Sequence, residues 1–496
     1  MEILIAIAGL GIICLIAEIF NARKAIVPIS IVGLIAVLVY TVGRCLKGGK
    51  EFISGLAMDG KGYFNMLVSD KYSLAFSSLF ILLAIFLIAL SPDFHKNHKP
   101  KLSDFVATKL FLLTGAIAMV AFGNLSMFFL GIEVLSISLY VLAASEPKNL
   151  KSNEAGMKYF LMGAFASGLI LFGIALIYGA TGSFDTAVIQ TKALSPDLPK
   201  WFSIGFVLLS IGLLFKIAAV PFHFWAPDVY EGSPALTTAT MSTLAKVAAI
   251  AAFFKLAYAL NPVLSGRFIT IINVVAIASM LIGNLVALKQ TNVKRMLAFS
   301  GISHAGYMLL IFQLHGLTAA QSNLFFYAVA YSIAGIAAFA VVLSVCGNKG
   351  DEQIFNFNGL GKTNPVLALV LTCALLSMAG IPVFAGFFAK FNLFSQVLSK
   401  GMNSPSAQGI ITALILVIAA VVSSIISVGY YFKLIIAMYS KEPNEDSQPL
   451  VVPFAYKAVA IVSFVLIIAI GLWPDLASSL IRRTVLVENM IKNKII

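Results

Sequence analysis

Charged side chains are scarce in this sequence. Only 11% of the 496 residues are Asp, Glu, Lys or Arg, while 60% are hydrophobic and the mean hydropathy is +0.97. Soluble domains carry roughly 25% charged and 45–50% apolar residues, so a soluble protein of this composition could not cover its surface. The composition therefore excludes a soluble globular protein and predicts an all-α polytopic membrane protein.

Cysteine and histidine motifs are also lacking. The four cysteines, Cys14, Cys45, Cys346 and Cys373, lie far apart in or beside apolar segments, and no C-x-x-C pair occurs. The five histidines have no spacing suited to haem ligation. These features argue against zinc, haem, an iron–sulfur cluster or a disulfide framework in this chain. We expect any redox chemistry to take place in another chain.

The beginning of the sequence lacks the marks of a cleavable signal. It reads MEILIAIAGLGIICLIAEIF, with Glu2 in place of a basic n-region and no A-x-A site. We interpret this segment as a first membrane span. The net charge of +13 lies mostly in loops between apolar segments, where it serves as a topology signal. We therefore expect a lipid bilayer, and no nucleic acid, as the partner of this surface.

Apolar runs of about 17 residues or more predict about fourteen transmembrane helices. The spans are 3–20, 26–46, 72–91, 104–122, 125–145, 157–180, 203–226, 236–260, 268–288, 300–315, 321–346, 365–398, 408–438 and 454–473. The tenth is short for a complete span, and 365–398 is too long for one straight helix.

Lysine and arginine are more abundant in the loops that follow odd-numbered helices than in the even-numbered loops. The positive-inside rule then places the odd loops in the cytoplasm and both termini outside. The basic tail, residues 477–496, is either an amphipathic surface helix or a solvated segment.

Four ionisable residues stand alone inside long uncharged runs: Glu133, Lys216, Lys246 and Lys390. Each would cost about 2.5–3.5 kcal/mol at the middle of a bilayer. Each must therefore face a partner or a water-filled cavity, and each is a candidate functional residue. The alternative is a buried Glu–Lys pair that only aids packing.

Three further lysines, Lys109, Lys158 and Lys255, lie near the ends of their spans. For these we favour a structural role, in which the long side chain reaches the lipid headgroups. The same alternative applies less well to the four isolated residues, because they lie well inside their runs.

Two prolines, Pro221 and Pro382, interrupt apolar helices, because proline removes a backbone hydrogen bond and clashes with the preceding turn. In lipid, such breaks are tolerated where they are buried or line a wet cavity. Lys216 lies five residues before Pro221, and Lys390 lies eight residues after Pro382. Broken helices at corresponding positions of two halves indicate a transport site, and the opposite offsets are those of an inverted repeat.

A buried lysine can take up or release a proton as a carboxylate approaches or withdraws. Glu133 near Lys216 would supply such a switch. His223 and His304 lie on or beside apolar segments and could relay protons. The alternative for a lone histidine is a packing role with its hydrogen bonds satisfied.

Residues 215–246, FKIAAVPFHFWAPDVYEGSPALTTATMSTLAK, closely resemble the antiporter-like membrane subunits of respiratory complex I. The PFHFWAPD part is shared by the wider superfamily, which includes multisubunit cation/proton antiporters, whereas DVYEGSP is similar to the subunit N branch. Further matches are EAGMKYF at 154–160, NVKRMLAFSGISHAGY at 292–307, and GIP to GFFAKF at 380–391. The sequence departs from the family at Gly301, where Ser or Thr is usual.

The resemblance implies fourteen transmembrane helices with two inverted five-helix repeats, of which the seventh and twelfth helices are broken. The implied segments are 1–103 with helices one to three, 104–260 with the first repeat, 261–440 with the second, and 441–496 with the last helix and tail. It also implies that Glu133, Lys216, Lys246 and Lys390 handle protons.

The implied function is a proton-translocating membrane subunit of NADH-quinone oxidoreductase in the bacterial inner membrane. Its partners would be an adjacent antiporter-like subunit and small membrane subunits. NADH, FMN, iron–sulfur clusters and a quinone would bind to other subunits, and no cofactor to this one. The alternatives are a subunit of a cation/proton antiporter without redox partners, and a membrane scaffold whose buried charges fix helix packing.

Overall fold

The structure is a computed structural model that describes residues 1–46, 65–96, 101–195, 197–260, 266–314, 317–347, 351–443 and 451–480. The helices in chain order are α1 (Glu2–Ile19), α2 (Arg23–Leu46), α3 (Lys71–Ala89), α4 (Ser91–Lys96), α5 (Leu102–Val120), α6 (Leu125–Ala143), α7 (Leu150–Thr181), α8 (Thr186–Ala193), α9 (Trp201–Lys216), α10 (Trp225–Gly232), α11 (Ala235–Thr240), α12 (Lys246–Ala259), α13 (Gly266–Ala287), α14 (Val293–Leu309), α15 (Leu317–Cys346), α16 (Leu360–Thr363), α17 (Pro365–Ala379), α18 (Ala385–Met402), α19 (Ala407–Ser440) and α20 (Phe454–Leu472).

Twelve helical segments in the described ranges are long and apolar enough to cross a membrane. In the same ranges the non-helical pairing is limited to three isolated β-bridges. The all-α membrane fold predicted from composition is therefore confirmed. The count of fourteen stays a prediction, and so does the side on which the termini lie. Most of the basic tail, from residue 481 onward, is outside the described residues.

The two remaining apolar segments, 203–226 and 365–398, are each broken where the prolines predict. Helix α9 ends at Lys216, and a turn of eight residues that contains Pro221 leads to α10. Within this turn Ala218 has a φ of 58°, a left-handed conformation that does not continue a helix. The free backbone groups find side-chain partners: Trp225 Nε1 donates to the Phe215 carbonyl at 3.0 Å, and Ser279 Oγ accepts from the Val220 amide at 2.9 Å.

The second break separates α17 from α18 over residues 380–384. Gly380 ends α17 with a φ of +88°, a conformation that glycine adopts without steric cost. The Gly380 amide bonds back to the Leu376 carbonyl at 3.0 Å, and the Ser377 hydroxyl accepts from the Gly386 amide at 3.1 Å. Helix α18 therefore starts against the end of α17.

Two helices begin earlier than hydropathy predicts, because an asparagine caps each of them. Helix α14 begins at Val293, seven residues before the predicted start, and Asn292 accepts a hydrogen bond from the Arg295 amide at 3.0 Å. Helix α7 begins after Asn149, whose side chain accepts from the Lys151 amide. Side-chain caps satisfy the first free amides of a helix, so polar first turns extend both helices beyond their apolar runs.

The centre of the fold is formed by α12, α14 and α15. The apolar windows of α14 and α15 are fully buried, and that of the α11–α12 segment is 94% buried, whereas the windows of α1, α2 and α19 are 22% buried. Between α11 and α12, residues Met241–Ala245 form one π-helical turn, which Lys246 follows directly. Single π-turns inside helices are frequent at functional sites.

Candidate functional site

Lys216, at the end of α9, is surrounded by hydroxyl groups. Its Nζ donates to Ser136 Oγ at 2.7 Å, to Tyr140 Oη at 3.3 Å and to Ser167 Oγ at 3.4 Å. The first two residues belong to α6 and the third to α7. These oxygens take the place of water around the amine, which stabilises it inside an apolar bundle.

Glu133 lies on α6, three residues before Ser136. Its side chain is therefore on the same face of α6 as the Ser136 hydroxyl that accepts from Lys216. No ion pair within 4 Å joins Glu133 to Lys216 in the described part of the chain. Glu133 Oε1 is buried and has no hydrogen-bond partner among the described residues. The structure therefore brings the predicted pair onto neighbouring helices without direct contact.

Lys246 is 2% exposed and lies in the buried centre. Its Nζ is 5.8 Å from the centre of the Tyr230 ring and has no hydrogen-bond partner among the residues that the structure describes. Lys246 also follows the π-helical turn directly. The side chain therefore points into the protein interior, as the isolated lysine predicts.

Lys390, on α18, reaches back across the second break. Its Nζ donates to the Ala379 carbonyl at 2.9 Å and to Ser424 Oγ at 2.8 Å, and it lies 4.8 Å from the centre of the Tyr307 ring. The Ala379 carbonyl ends α17, where the helix dipole attracts a positive charge. The break thus supplies a binding position for the Lys390 ammonium group, and Lys390 is 5% exposed.

His304 lies on α14, with its ring centre 4.8 Å from that of Tyr331 and 5.8 Å from that of Tyr307, the ring beside Lys390. It is 4% exposed. Its Nδ1 is 2.9 Å from Tyr327 Oη, and its Nε2 is 3.5 Å from Tyr431 Oη. A neutral imidazole has one donor and one acceptor nitrogen, so His304 can connect one hydroxyl to the other.

His223 lies in the first break and is less well connected. It is 7% exposed, with its ring 4.4 Å from that of Phe224. Its Nδ1 has no hydrogen-bond partner among the described residues. The structure therefore gives His223 no side-chain hydrogen bond, within those residues, to any of the four isolated ionisable groups.

The tyrosine hydroxyls around His304 were not predicted. Tyr431 Oη lies 2.5 Å from Ser300 Oγ, and Tyr430 donates to Asn284 Oδ1 at 3.0 Å. Asn284 in turn donates to Tyr307 Oη at 3.3 Å, and the Tyr307 ring lies under Lys390. A tyrosine inside an apolar span looks like any packing residue, so the sequence holds no signal for this group.

The headgroup role predicted for Lys109 is wrong. Lys109 is 3% exposed, and its Nζ donates to the Leu87 carbonyl at 3.0 Å and to Ser91 Oγ at 3.1 Å. Helix α5 turns this lysine toward α3 instead of the lipid. Lys255 pairs with Asp70 at 2.8 Å, so it too has a protein partner.

A group of charged residues connects α10 with α14 at one end of the bundle. Arg295 donates to Asp228 at 2.7 Å and to Glu231 at 3.1 Å, and Lys158 donates to Asp228 at 3.1 Å. Burial would raise the pKa of the Asp228 carboxyl, but the hydrogen bonds from Arg295 and Lys158 outweigh it and hold the pKa below its usual value. The pairs fix the end of the first broken helix to α14.

A cavity of about 140 Å³ lies beside this charged group. Its lining includes Glu231, Ser233, Lys294 and Glu352. Lys294 Nζ donates to the Ser233 carbonyl at 2.9 Å and pairs with Glu352 at 3.0 Å. The cavity is large enough for several water molecules, and its walls are polar.

Comparisons with known proteins concern the sequence and the fold of this chain. A family model described as NADH:quinone oxidoreductase/Mrp antiporter, TM, matches residues 123–441. NADH-quinone oxidoreductase subunit N of Flavobacterium johnsoniae is 59% identical over 490 residues, which cover 97% of this chain and 100% of the relative.

Among solved structures, a chain of respiratory complex I from Thermus thermophilus is 28% identical with a TM-score of 0.78, covering 96% of this chain and 98% of that one. A chain of the Mrp complex from Dietzia sp. DQ12-45-1b has a TM-score of 0.80 at 22% identity, covering 96% and 94%. The second likeness concerns the fold alone.

Proposed function

This chain belongs to the NADH:quinone oxidoreductase/Mrp antiporter family, and we propose that its buried charges form the proton path through a membrane subunit of the subunit N type. It is a proton-translocating membrane subunit of NADH-quinone oxidoreductase. Such a subunit couples electron transfer elsewhere in the complex to proton movement through its own helices.

The path runs from Lys216 through Lys246 and His304 to Lys390. The observation that carries this path is the position of His304 on α14. Lys246 Nζ lies against Gly301, one helical turn before His304. The Tyr307 ring, whose centre is 5.8 Å from that of His304, lies 4.8 Å from Lys390 Nζ. An imidazole that accepts a proton at one nitrogen and releases one at the other can transfer charge between two lysines.

Glu133 controls the proton of Lys216 in this scheme. In the structure Lys216 donates hydrogen bonds to three hydroxyl groups. The Glu133 carboxylate lies on the same face of α6 as Ser136 and forms no ion pair with Lys216 among the described residues. Movement of α6 against α9 by a few ångströms would change the distance between the two charges. At low effective dielectric, such a change alters the affinity of an amine for its proton.

The two breaks provide access, because freed backbone groups and polar side chains can hold water inside a bundle. One break admits protons from one side of the membrane, and the other releases them on the opposite side. The polar cavity beside Ser233 and Lys294 is a candidate entrance, since it lies next to the end of α10. In this scheme residues 104–260 and residues 261–440 form the two halves of the path.

The chain is part of a multisubunit membrane complex. Its neighbours are an adjacent antiporter-like subunit and small membrane subunits, while NADH, FMN, iron–sulfur clusters and the quinone belong to other chains. The complex lies in the bacterial inner membrane with both termini of this chain on the periplasmic side.

The test is purification of the intact complex from membranes that carry either the natural chain or the Lys216→Ala variant. We expect the natural chain to copurify with NADH dehydrogenase activity, and the variant complex to assemble but lose proton pumping. An assembled Lys216→Ala complex that pumps at the natural rate would refute the proposed path. Copurification without any flavoprotein or iron–sulfur partner would favour the cation/proton antiporter instead.

A further inference from the structure

Asn284 of α13 is a completely buried amide, at 0% exposure, between α14 and α19. Its Nδ2 donates to the Ser423 carbonyl of α19 at 2.8 Å and to Tyr307 Oη of α14 at 3.3 Å. Its Oδ1 accepts from Tyr430 Oη at 3.0 Å. A carbonyl oxygen can only accept a hydrogen bond, so the amide nitrogen must face Ser423. The donor side of Asn284 therefore connects α14 to α19.

Helix α13 approaches α14 closely at the residue before Asn284. A Cβ atom at Gly283 would be 2.7 Å from the Ser303 amide nitrogen and 2.8 Å from the Phe299 carbonyl oxygen. Any side chain at this position would push the two backbones apart. The close crossing fixes the depth of Asn284, whose short side chain can then reach Tyr307.

Both groups to which Asn284 donates lead to Lys390. Tyr307 is 1% exposed, and the centre of its ring is 4.8 Å from Lys390 Nζ. A buried ammonium group is attracted to the face of an aromatic ring. Ser423 directly precedes Ser424, whose Oγ accepts from Lys390 Nζ at 2.8 Å. Asn284 thus holds the supports of two different contacts of one ammonium group.

We propose that Asn284 is a positioning residue for proton transfer at Lys390. It holds the Tyr307 ring through its hydroxyl group, and it holds the main chain beside Ser424. A change in either contact alters how firmly the lysine binds its proton, because both contacts favour the charged form. This inference rests on the proposed proton path, since Asn284 acts only through Lys390.

The decisive comparison is between Asn284→Leu and Asn284→Asp in the intact complex. Leucine removes all three hydrogen bonds at nearly the same volume, and we expect proton pumping to fall about tenfold, as when a buried polar group loses its partner. The neutral Asn284→Asp side chain has an O–H donor for the Ser423 carbonyl and oxygen acceptors for the two tyrosine hydroxyls. It should therefore retain most of the natural rate.

A role in packing alone predicts the opposite order for the two variants. Leucine suits an apolar bundle better than a buried carboxyl group does, so Asn284→Leu would then pump at least as well as Asn284→Asp. Pumping is measured in inverted membrane vesicles and normalised to the amount of assembled complex. An aspartate variant no better than the leucine variant, or natural pumping by Asn284→Leu, would overturn the inference.

Asn273→Leu is the matched control on the same helix. Asn273 is 9% exposed and accepts a hydrogen bond from Gln313, and it lies about three turns before Asn284. Its loss also removes a side-chain hydrogen bond from α13, but it leaves the contacts of Lys390 in place. We expect Asn273→Leu to pump at nearly the natural rate per assembled complex, and a loss equal to that of Asn284→Leu would overturn the inference.

If the Asn284→Leu complex fails to assemble, Tyr307→Phe removes the hydroxyl that Asn284 holds and keeps the ring. It should lower pumping about two- to tenfold, the effect of one hydrogen bond, and an unchanged rate would overturn the inference. Failure of the wider function is distinguished by Lys390→Met. A complex with that change that still pumps normally contradicts the proton path itself, whereas an inactive Lys390→Met complex beside a fully active Asn284→Leu complex contradicts only the role of Asn284.

Discussion

Lys390 donates a hydrogen bond across a helix break, to the main-chain carbonyl of Ala379. The lysine lies on α18 and the carbonyl ends α17, so one ammonium group joins the two halves of a discontinuous helix. Lys216 has no such role at the other break, because its nitrogen faces hydroxyls of α6 and α7. Lys216 and Lys390 are counterparts by their distances from the two prolines in the sequence. Their surroundings in the structure are nevertheless different.

Replacing Lys390 by methionine should abolish proton pumping and leave the complex assembled. Methionine keeps the length of the side chain but cannot carry a proton, and it leaves the Ala379 carbonyl without its amine partner. Lys400→Met on the same helix is the control, since Lys400 lies nearly three turns further on and outside the proposed path. Dye-based pumping assays on vesicles, scaled to NADH oxidation, measure the difference.

Loss of one hydroxyl near Lys216 should slow pumping by about tenfold or more, because a hydrogen bond to a charged group contributes about 1.5–3 kcal/mol. The Ser136→Ala variant tests this, because Ser136 makes the shortest of the three bonds, 2.7 Å. Ser138→Ala is the matched control on the same helix: its hydroxyl donates to the Val134 carbonyl and does not contact Lys216. Equal rates for both variants would show that the hydroxyl group is unimportant.

His304→Gln should reduce pumping far more than His223→Gln. His304 is hydrogen-bonded to two tyrosine hydroxyls, whereas His223 lacks a partner at Nδ1 among the described residues. General acid–base transfer by a positioned group contributes about 10²- to 10⁴-fold, so a loss near the lower limit is expected for His304. A larger loss for His223 would place the path through the first break instead.

Asp228→Asn should weaken the connection between α10 and α14 and lower the thermal stability of the complex. The two carboxylate bonds to Arg295 and Lys158 are partly exposed, and exposed pairs contribute about 0.2–1 kcal/mol each. Differential scanning fluorimetry of the purified complex measures the change. Combining Asp228→Arg with Arg295→Asp should restore part of the stability, and a double variant weaker than both single variants would contradict the pairing.

The effect of Asp228→Asn should not depend on pH near neutrality. The pKa of the Asp228 carboxyl is lower in the folded chain than its usual value of 3.8, so its contribution is complete above that value. It is lost only as the pH falls through the lowered pKa. The stability difference between the natural and variant complexes should therefore be equal at about pH 6 and about pH 8.

Much of this site can be predicted from the sequence, because an isolated charge in an apolar span is costly enough to need an explanation. Lys246 and Lys390 are buried as that cost predicts, and both prolines lie in helix breaks. Lys109 was misjudged, since proximity to a span end does not reveal which way a helix faces. Burial against Leu87 and Ser91 depends on how α5 packs on α3, which only the folded structure shows.

The hydroxyl groups could not be predicted for a related reason. Tyr327, Tyr331 and Tyr431 come from two helices far apart in sequence, and they meet around His304 only because α15 and α19 pack on α14. Gly301 stands out in the sequence as a departure from the family. Its contact with Lys246, however, depends on how α12 packs against α14. The sequence pattern does not predict that packing.

The π-helical turn at Met241–Ala245 affects how this segment responds to a change in length. An α-helix turns about 100° per residue, but the i→i+5 bonds of a π-turn hold one residue more than an α-turn. A one-residue deletion in this segment can therefore be absorbed as a regular α-turn, whereas a one-residue insertion would rotate Lys246 by about 100° relative to α11. We therefore expect the deletion to be tolerated far better than the insertion.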